Sequence, residues 1–223
     1  PMDMVTMNIL DSTMVSICRE MGISLMKTSY STVFNEGLDF TCALADTNGD
    51  MISVAEFCPA QIGGMPLLIK TCAEEFPIDT LDEGDVLIHN DPYRGGLHVP
   101  EHTLFKPFFH NGKALGYLVC IGHIAEVGGM VPGGFPGEAT EIFHEGFRVP
   151  PVKIKKAGKD VASVWKLMLA NVRTPRHNYG DLRAMIGVLD LGEQRVAELL
   201  EKYGEQTFKK TCHDLMEYSE RRM

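Results

Sequence analysis

Six of the eight histidines in this 223-residue sequence fall between residues 89 and 144: His89, His98, His102, His110, His123 and His144. Within that stretch, His98-Val99-Pro100-Glu101 places an imidazole and a carboxylate three residues apart. Gly95-Gly96 before the motif and Pro100 inside it oppose a helix, so a loop or a strand end must set its geometry. His123 follows an apolar run and precedes Gly128-Gly129. Two imidazoles and one carboxylate are a common set for a catalytic divalent metal, leaving a position open for water or substrate. Zinc and manganese both accept such donors. His98, Glu101 and His123 are therefore the candidate ligands. A surface turn at Glu101 and a hydrogen-bonded core histidine at 123 are the competing readings. His102 competes with Glu101 as a ligand, whereas His110, beside Asn111-Gly112, reads as an exposed turn residue.

Asp91 and Arg94 in Asn90-Asp91-Pro92-Tyr93-Arg94 form a second group with chemical capacity. Arg94 could clamp an anionic group bidentately; otherwise Asp91 caps its own turn and Arg94 is a surface residue. Glu126, with Glu138, Glu141 and Glu145 nearby, is a candidate general base or a carboxylate that orients a ligand imidazole. No G-x-x-x-x-G-K-[ST] loop occurs, so no Walker-type ATP site is expected. No G-x-S-x-G elbow occurs either.

The elements that must position these residues read as α+β. Leu10, Met14, Ile17, Cys18, Met21 and Leu25 predict a long helix over residues 4–27. The methionines around it, Met2 to Met26, read as core filler rather than as a binding stripe. Phe40 to Ala45 and Met51 to Phe57 predict a hairpin around Asp46-Thr47-Asn48-Gly49-Asp50. A helix is expected from Gly63 to Phe76, and a buried strand at Val86 to His89. A second hairpin, Thr103 to Phe109 with Ala114 to Ile124, turns at Asn111-Gly112. Residues 128–137 form a Gly- and Pro-rich loop long enough to suspect function. A strand at Val152 to Ile154 precedes helices over 159–171, 181–203 and from Gly204 to about Arg221. The expectation is thus a β-rich, mostly antiparallel metal-binding region at 36–155 and a helical region at 156–223.

The bulk composition narrows the partners. A net charge of −9 argues against nucleic acid and anionic membrane, and no apolar run is long enough to span a bilayer. The opening Pro1-Met2-Asp3-Met4 lacks a basic region followed by an apolar one, so no signal peptide is expected. The six cysteines form no C-x-x-C pair and several lie in apolar runs, which predicts buried, reduced thiols in a cytoplasmic protein.

At these same residues the sequence resembles the hydantoinase B/oxoprolinase family. Residues 90–101 carry one block, and Gly122-His123-Ile124-Ala125-Glu126-Val127-Gly128-Gly129-Met130 another. Ala139 through Lys153, then Asn171-Val172-Arg173-Thr174-Pro175 with Gly180-Asp181-Leu182-Arg183-Ala184, continue the match, and the opening from Glu20-Met21-Gly22 through Leu44 fits as well. The resemblance implies the N-terminal portion of a longer B-type subunit in a hetero-oligomer. It implies an A-type partner subunit that binds ATP and Mg and phosphorylates a carbonyl oxygen. The B-type subunit would hold the divalent metal and act on a cyclic amide of hydantoin, oxoproline or lactam type. Carboxylation of a ketone, as in acetone and acetophenone carboxylases, is the alternative. A metal-stabilised structural subunit is a third possibility. In the carboxylases the ligands resemble positions 98, 101 and 123, with Asp usual where this chain has Glu101. His144 stands where Gln is common and is a possible extra ligand.

Overall fold

The computed structural model describes residues 3–223; Met2 lies outside them. In chain order the elements are α1 (Met4–Thr28), α2 (Thr32–Asn35), β1 (Phe40–Ala45), β2 (Met51–Val54) and α3 (Pro59–Glu75). Then come β3 (Val86–His89), β4 (Glu101–His110), β5 (Lys113–His123) and α4 (Ile142–Glu145). The chain continues through β6 (Val152–Lys156), β7 (Lys159–Asp160), α5 (Ala162–Ala170), α6 (Pro175–Tyr203) and α7 (Glu205–Arg222). The strands form one seven-stranded sheet in the order β2-β1-β5-β4-β3-β6-β7. Every pairing is antiparallel.

Strand alternation sends side chains to two covered faces. On one, Phe40, Cys42, Leu44, Leu104, Phe108, Leu118 and Cys120 pack against α1, α5, α6 and α7. On the other, Ala43, Ala45, Phe105, Tyr117, Val119 and Ile121 pack beneath Met65, Leu68, Ile69 and Cys72 of α3. The expected apolar stripe of α1 is buried throughout, and Met7, Met14 and Met21 are core residues, whereas Met4, in the first turn, is exposed. The helices of the two chain ends share one core, with α1 lying against α6. Five of the six cysteines are buried, Cys58 is half-buried, and all are free thiols.

The boundaries differ from expectation where turns and prolines intervene. Helix α3 starts at Pro59, four residues before the Gly63-Gly64 pair, because proline is well placed in a first turn. Pro175 likewise starts α6 six residues before Asp181. Lys159 and Asp160 belong to β7 instead of a helix: Ala157 and Gly158 take positive φ (46° and 78°) and turn the chain back onto β6. Strand β2 ends at Val54, short of Phe57. The central hairpin is longer than its apolar run. β4 begins at Glu101, two residues before Thr103, while β5 ends at His123, one residue short of Ile124; Asn111 and Gly112 take positive φ (50° and 74°) in the turn. Two polar residues thus lie in the ladder itself, and this brings the candidate site together.

Candidate metal centre

Glu101 and His123 are direct cross-strand partners at the open end of the β4–β5 hairpin. By parity both side chains face the α3 side, with Phe105, Val119 and Ile121. β1 runs along the other edge of β5, pairing Phe40 with Gly122. Asp39, one residue earlier, therefore reaches the same face. Its carbonyl accepts the His123 N–H at 3.0 Å. Three adjacent strands thus deliver two carboxylates and an imidazole to one corner. His98 arrives from the preceding loop, where its carbonyl accepts the Glu101 N–H at 3.0 Å. That loop sits tight on α3: a Cβ on Gly64 would lie 2.3 Å from Leu97 Cδ2.

The side chains pair two by two. His98 Nε2 is 3.6 Å from Glu101 Oε1, and His123 Nδ1 is 3.7 Å from Asp39 Oδ2. The imidazole centroids of His98 and His123 are 5.0 Å apart. Those N···O distances are too long for hydrogen bonds. Each pair by itself has about the spacing of two neighbouring ligands on an ion, since bonds of about 2.0–2.2 Å in a tetrahedron hold ligand atoms roughly 3.3–3.6 Å apart. Gln61, fully buried in the first turn of α3, donates through Nε2 to Asp39 Oδ1 (2.9 Å) and Glu101 Oε1 (3.1 Å). Thr41 Oγ1 donates to Gln61 Oε1 at 2.9 Å, fixing the amide's orientation. Glu101 Oε2 is buried without a hydrogen-bond partner. A buried carboxylate oxygen left bare is costly, and a cation would relieve that cost. Burial, aided by His98 alongside, pushes the His123 pKa down against the pull of Asp39 and Glu101. The residues present therefore fit a divalent metal by donor type and by the unmet valence of Glu101.

Phe135, from the Gly-rich loop, lies over this corner. Its ring stacks on His123 (5.2 Å between centroids, 10° between planes) and sits 6.1 Å from His98. The stem of that loop is held by Glu126 and Arg173. Buried Glu126 accepts from Gly128 N (2.9 Å), Arg173 N (2.5 Å) and Arg173 Nη1 (2.7 Å). Arg173 also donates to the carbonyls of Gly128 (3.0 Å) and Gly129 (2.7 Å).

The other candidates are placed as follows. Asp91 caps the turn at Pro92–Arg94, accepting Tyr93 N–H at 3.1 Å, and pairs with Arg94 Nη1 at 3.0 Å. Arg94 also pairs with Glu75 at 2.5 Å. Arg148 Nε lies 3.9 Å from Asp91, with its guanidinium over the rings of Tyr93 and Phe143. Among the described residues, neither Asp91 nor Arg94 has a hydrogen bond or ion pair to the four-residue cluster. His102, one residue past Glu101, faces the helical side, contacts the Pro100 carbonyl at 3.2 Å and is pushed by burial to a pKa of about 4. His144 is engaged by Thr140 N and Glu141. His110 is half-buried, less exposed than its turn-side position suggests. His213, Asp214 and Glu217 form a separate grouping on exposed α7, where Lys210 already occupies Asp214.

Asp39, Gln61 and Phe135 escape sequence reasoning as site residues. Asp39 becomes findable only once β1 is paired with β5, because its proximity to His123 depends on that register.

The Hydantoinase B/oxoprolinase family pattern matches residues 3–223, and the chain belongs to that family. It is 36% identical over 221 residues to the beta subunit of caprolactamase from Pseudomonas jessenii, covering 99% of this chain and 38% of that one. It is 33% identical over 225 residues to the B subunit of a putative D-/L-hydantoinase from a Pseudomonas species, covering 99% of this chain and 38% of the relative. The crystal structure of the ATP-dependent caprolactamase from Pseudomonas jessenii superposes with a TM-score of 0.93 at 35% identity, covering 99% of this chain and 38% of that one. Nucleotide-free acetone carboxylase shares the fold, with a TM-score of 0.87 at 20% identity over 95% of this chain and 28% of its own. The chain thus spans well under half the length of these relatives.

Proposed function

We propose that this chain is the metal-holding N-terminal portion, as a single domain, of the B-type subunit of a cytoplasmic, ATP-dependent hetero-oligomeric enzyme. Its reaction is hydrolysis of a cyclic amide of lactam, hydantoin or oxoproline type. An A-type partner subunit supplies ATP and Mg and phosphorylates the carbonyl oxygen. The names of the relatives support the substrate class, and the free, mostly buried thiols fit a reducing compartment.

The observation that carries the reading is the corner built by Asp39, His98, Glu101 and His123, with Glu101 Oε2 unpartnered in the interior. These four would hold the ion, zinc or manganese by donor type. When bound, such an ion supplies Lewis acidity to a substrate oxygen or lowers the pKa of a water. Gln61 holds both carboxylates through its amide and leaves Glu101 Oε2 free. Asp91 holds Arg94 and Arg148 at the surface as cations for an anionic, phosphorylated substrate. Glu126 anchors the loop that carries Phe135.

The test is ATP hydrolysis by the reconstituted complex with a panel of lactams, with and without bicarbonate, alongside metal content by mass spectrometry. Lactam-dependent turnover indifferent to bicarbonate is expected, with about one metal per chain. Ketone turnover that needs bicarbonate would replace this reading with a carboxylase. His123→Ala is expected to leave assembly intact while metal is lost and turnover falls by orders of magnitude. Equal losses of assembly and activity would make the metal structural.

A further inference from the structure

Resting on that reading, we infer that Phe135 is a specificity-determining residue whose ring forms an apolar wall over the Asp39–His98–Glu101–His123 corner and receives the hydrocarbon part of the substrate. Phe135 is 72% exposed, yet its ring lies flat on His123 and tilts against His98. It is therefore not a core residue: one face covers an imidazole and the rest is open to whatever enters.

The backbone is shaped to put it there. Gly133 and Gly134 take positive φ (87° and 72°), and a Cβ on Gly134 would lie 2.9 Å from Pro100 Cγ. Pro100 is the residue just before Glu101, so the loop closes directly onto the strand end that carries the carboxylate. The Glu126–Arg173 clamp holds Gly128 and Gly129 at the start of the loop. The other groups at this corner are carboxylates, imidazoles and an amide, all polar. Phe135 is the aromatic ring stacked on its imidazoles, and it gives methylene groups a surface on which to leave water.

The experiment uses the complex reconstituted with cobalt(II), whose visible spectrum reports a ligand arriving at the corner without requiring turnover. Straight-chain carboxylates from acetate to hexanoate are titrated into wild type, Phe135→Ala and Phe135→Leu. Wild type is expected to gain about two- to fourfold in affinity per added methylene. Phe135→Leu should keep most of that gain, and Phe135→Ala should show nearly equal affinities along the series, with unchanged cobalt content and Tm. The same chain-length dependence in Phe135→Ala as in wild type overturns the proposal. Loss of partner assembly in Phe135→Ala with that dependence intact overturns it too, and makes the ring an interface residue. A complex that takes up no cobalt sinks the metal reading and this inference together. Cobalt uptake with the expected Phe135 effect, in a complex inactive on lactams, sinks only the substrate class.

Discussion

Gln61 carries no chemistry of its own, yet it touches the carboxylates of both Asp39 and Glu101 and is fully buried. A group that orients ligands in this way typically contributes 10–100-fold to metal affinity. Gln61→Leu removes the donor while keeping similar volume. It is expected to lower metal affinity by about that factor while His98, Glu101 and His123 remain in place. Competition with a metal-binding dye measures this; an unchanged affinity would reduce Gln61 to a packing residue. At this scale the sequence is informative where chemistry is concentrated. The crowding of histidines and the His98-Val99-Pro100-Glu101 spacing point to three members of the corner. Asp39 and Gln61 lie in segments with no unusual composition, about 22 to 84 residues away from their partners in the chain. Their roles are set by tertiary register alone. Asp91 and Glu126 show the converse. Their residue type drew attention, and both turn out to be saturated by turn and loop hydrogen bonds.

At the scale of elements, two polar devices hold the framework. Asp85, fully buried ahead of β3, accepts from Asp82 N (2.9 Å), Ala157 N (2.8 Å) and Lys153 Nζ (2.6 Å). It ties β3 to the β6–β7 turn. Burial alone would raise its pKa, but Lys153 and the two amides prevail and hold it below the ordinary aspartate value. A depressed folded pKa means the stabilisation is present above the unfolded value. It is lost as pH falls through the folded one, below about 3.9. Asp85→Asn should therefore cost about 1–3 kcal/mol at neutral pH and flatten the acid limb of the Tm–pH profile. A variant whose acid limb matches wild type would remove Asp85 from that account. The second device is the Glu126–Arg173 clamp. Arg173→Ala leaves a buried carboxylate without its cation and frees the carbonyls of Gly128 and Gly129. Faster proteolytic cleavage within residues 128–137 is the expected outcome, with little change in the sheet's circular dichroism. Helix and strand identities were legible from periodicity because both faces of the sheet are covered and α1 and α6 have long apolar stripes. Ends were less legible. Prolines start α3 and α6 ahead of their apolar residues, and β4 starts at Glu101, two residues ahead of Thr103.

For the whole molecule, the sheet is a plate clad on both sides, and its helical side draws on both ends of the chain. Lys106 of β4 joins that cladding to the plate. It is buried on the helical side and its ammonium pairs with Asp190 (2.6 Å) and Glu193 of α6. Lys106→Ala would strand neither carboxylate completely, since Asp190 is about half exposed. The expected loss is about 1–3 kcal/mol in urea unfolding. A loss below about 0.5 kcal/mol would show that packing alone seats α6.

The long central hairpin also gives the molecule polarity. Its turn at Asn111-Gly112 lies at the opposite end of ten-residue β4 from Glu101, about 30 Å away. A Cβ on Gly112 would meet no atom within 4 Å. That tip is a natural handle. A fluorophore, affinity peptide or surface tether grafted there would leave the corner of Asp39, His98, Glu101 and His123 facing outward, so immobilised protein could be interrogated with that corner undisturbed.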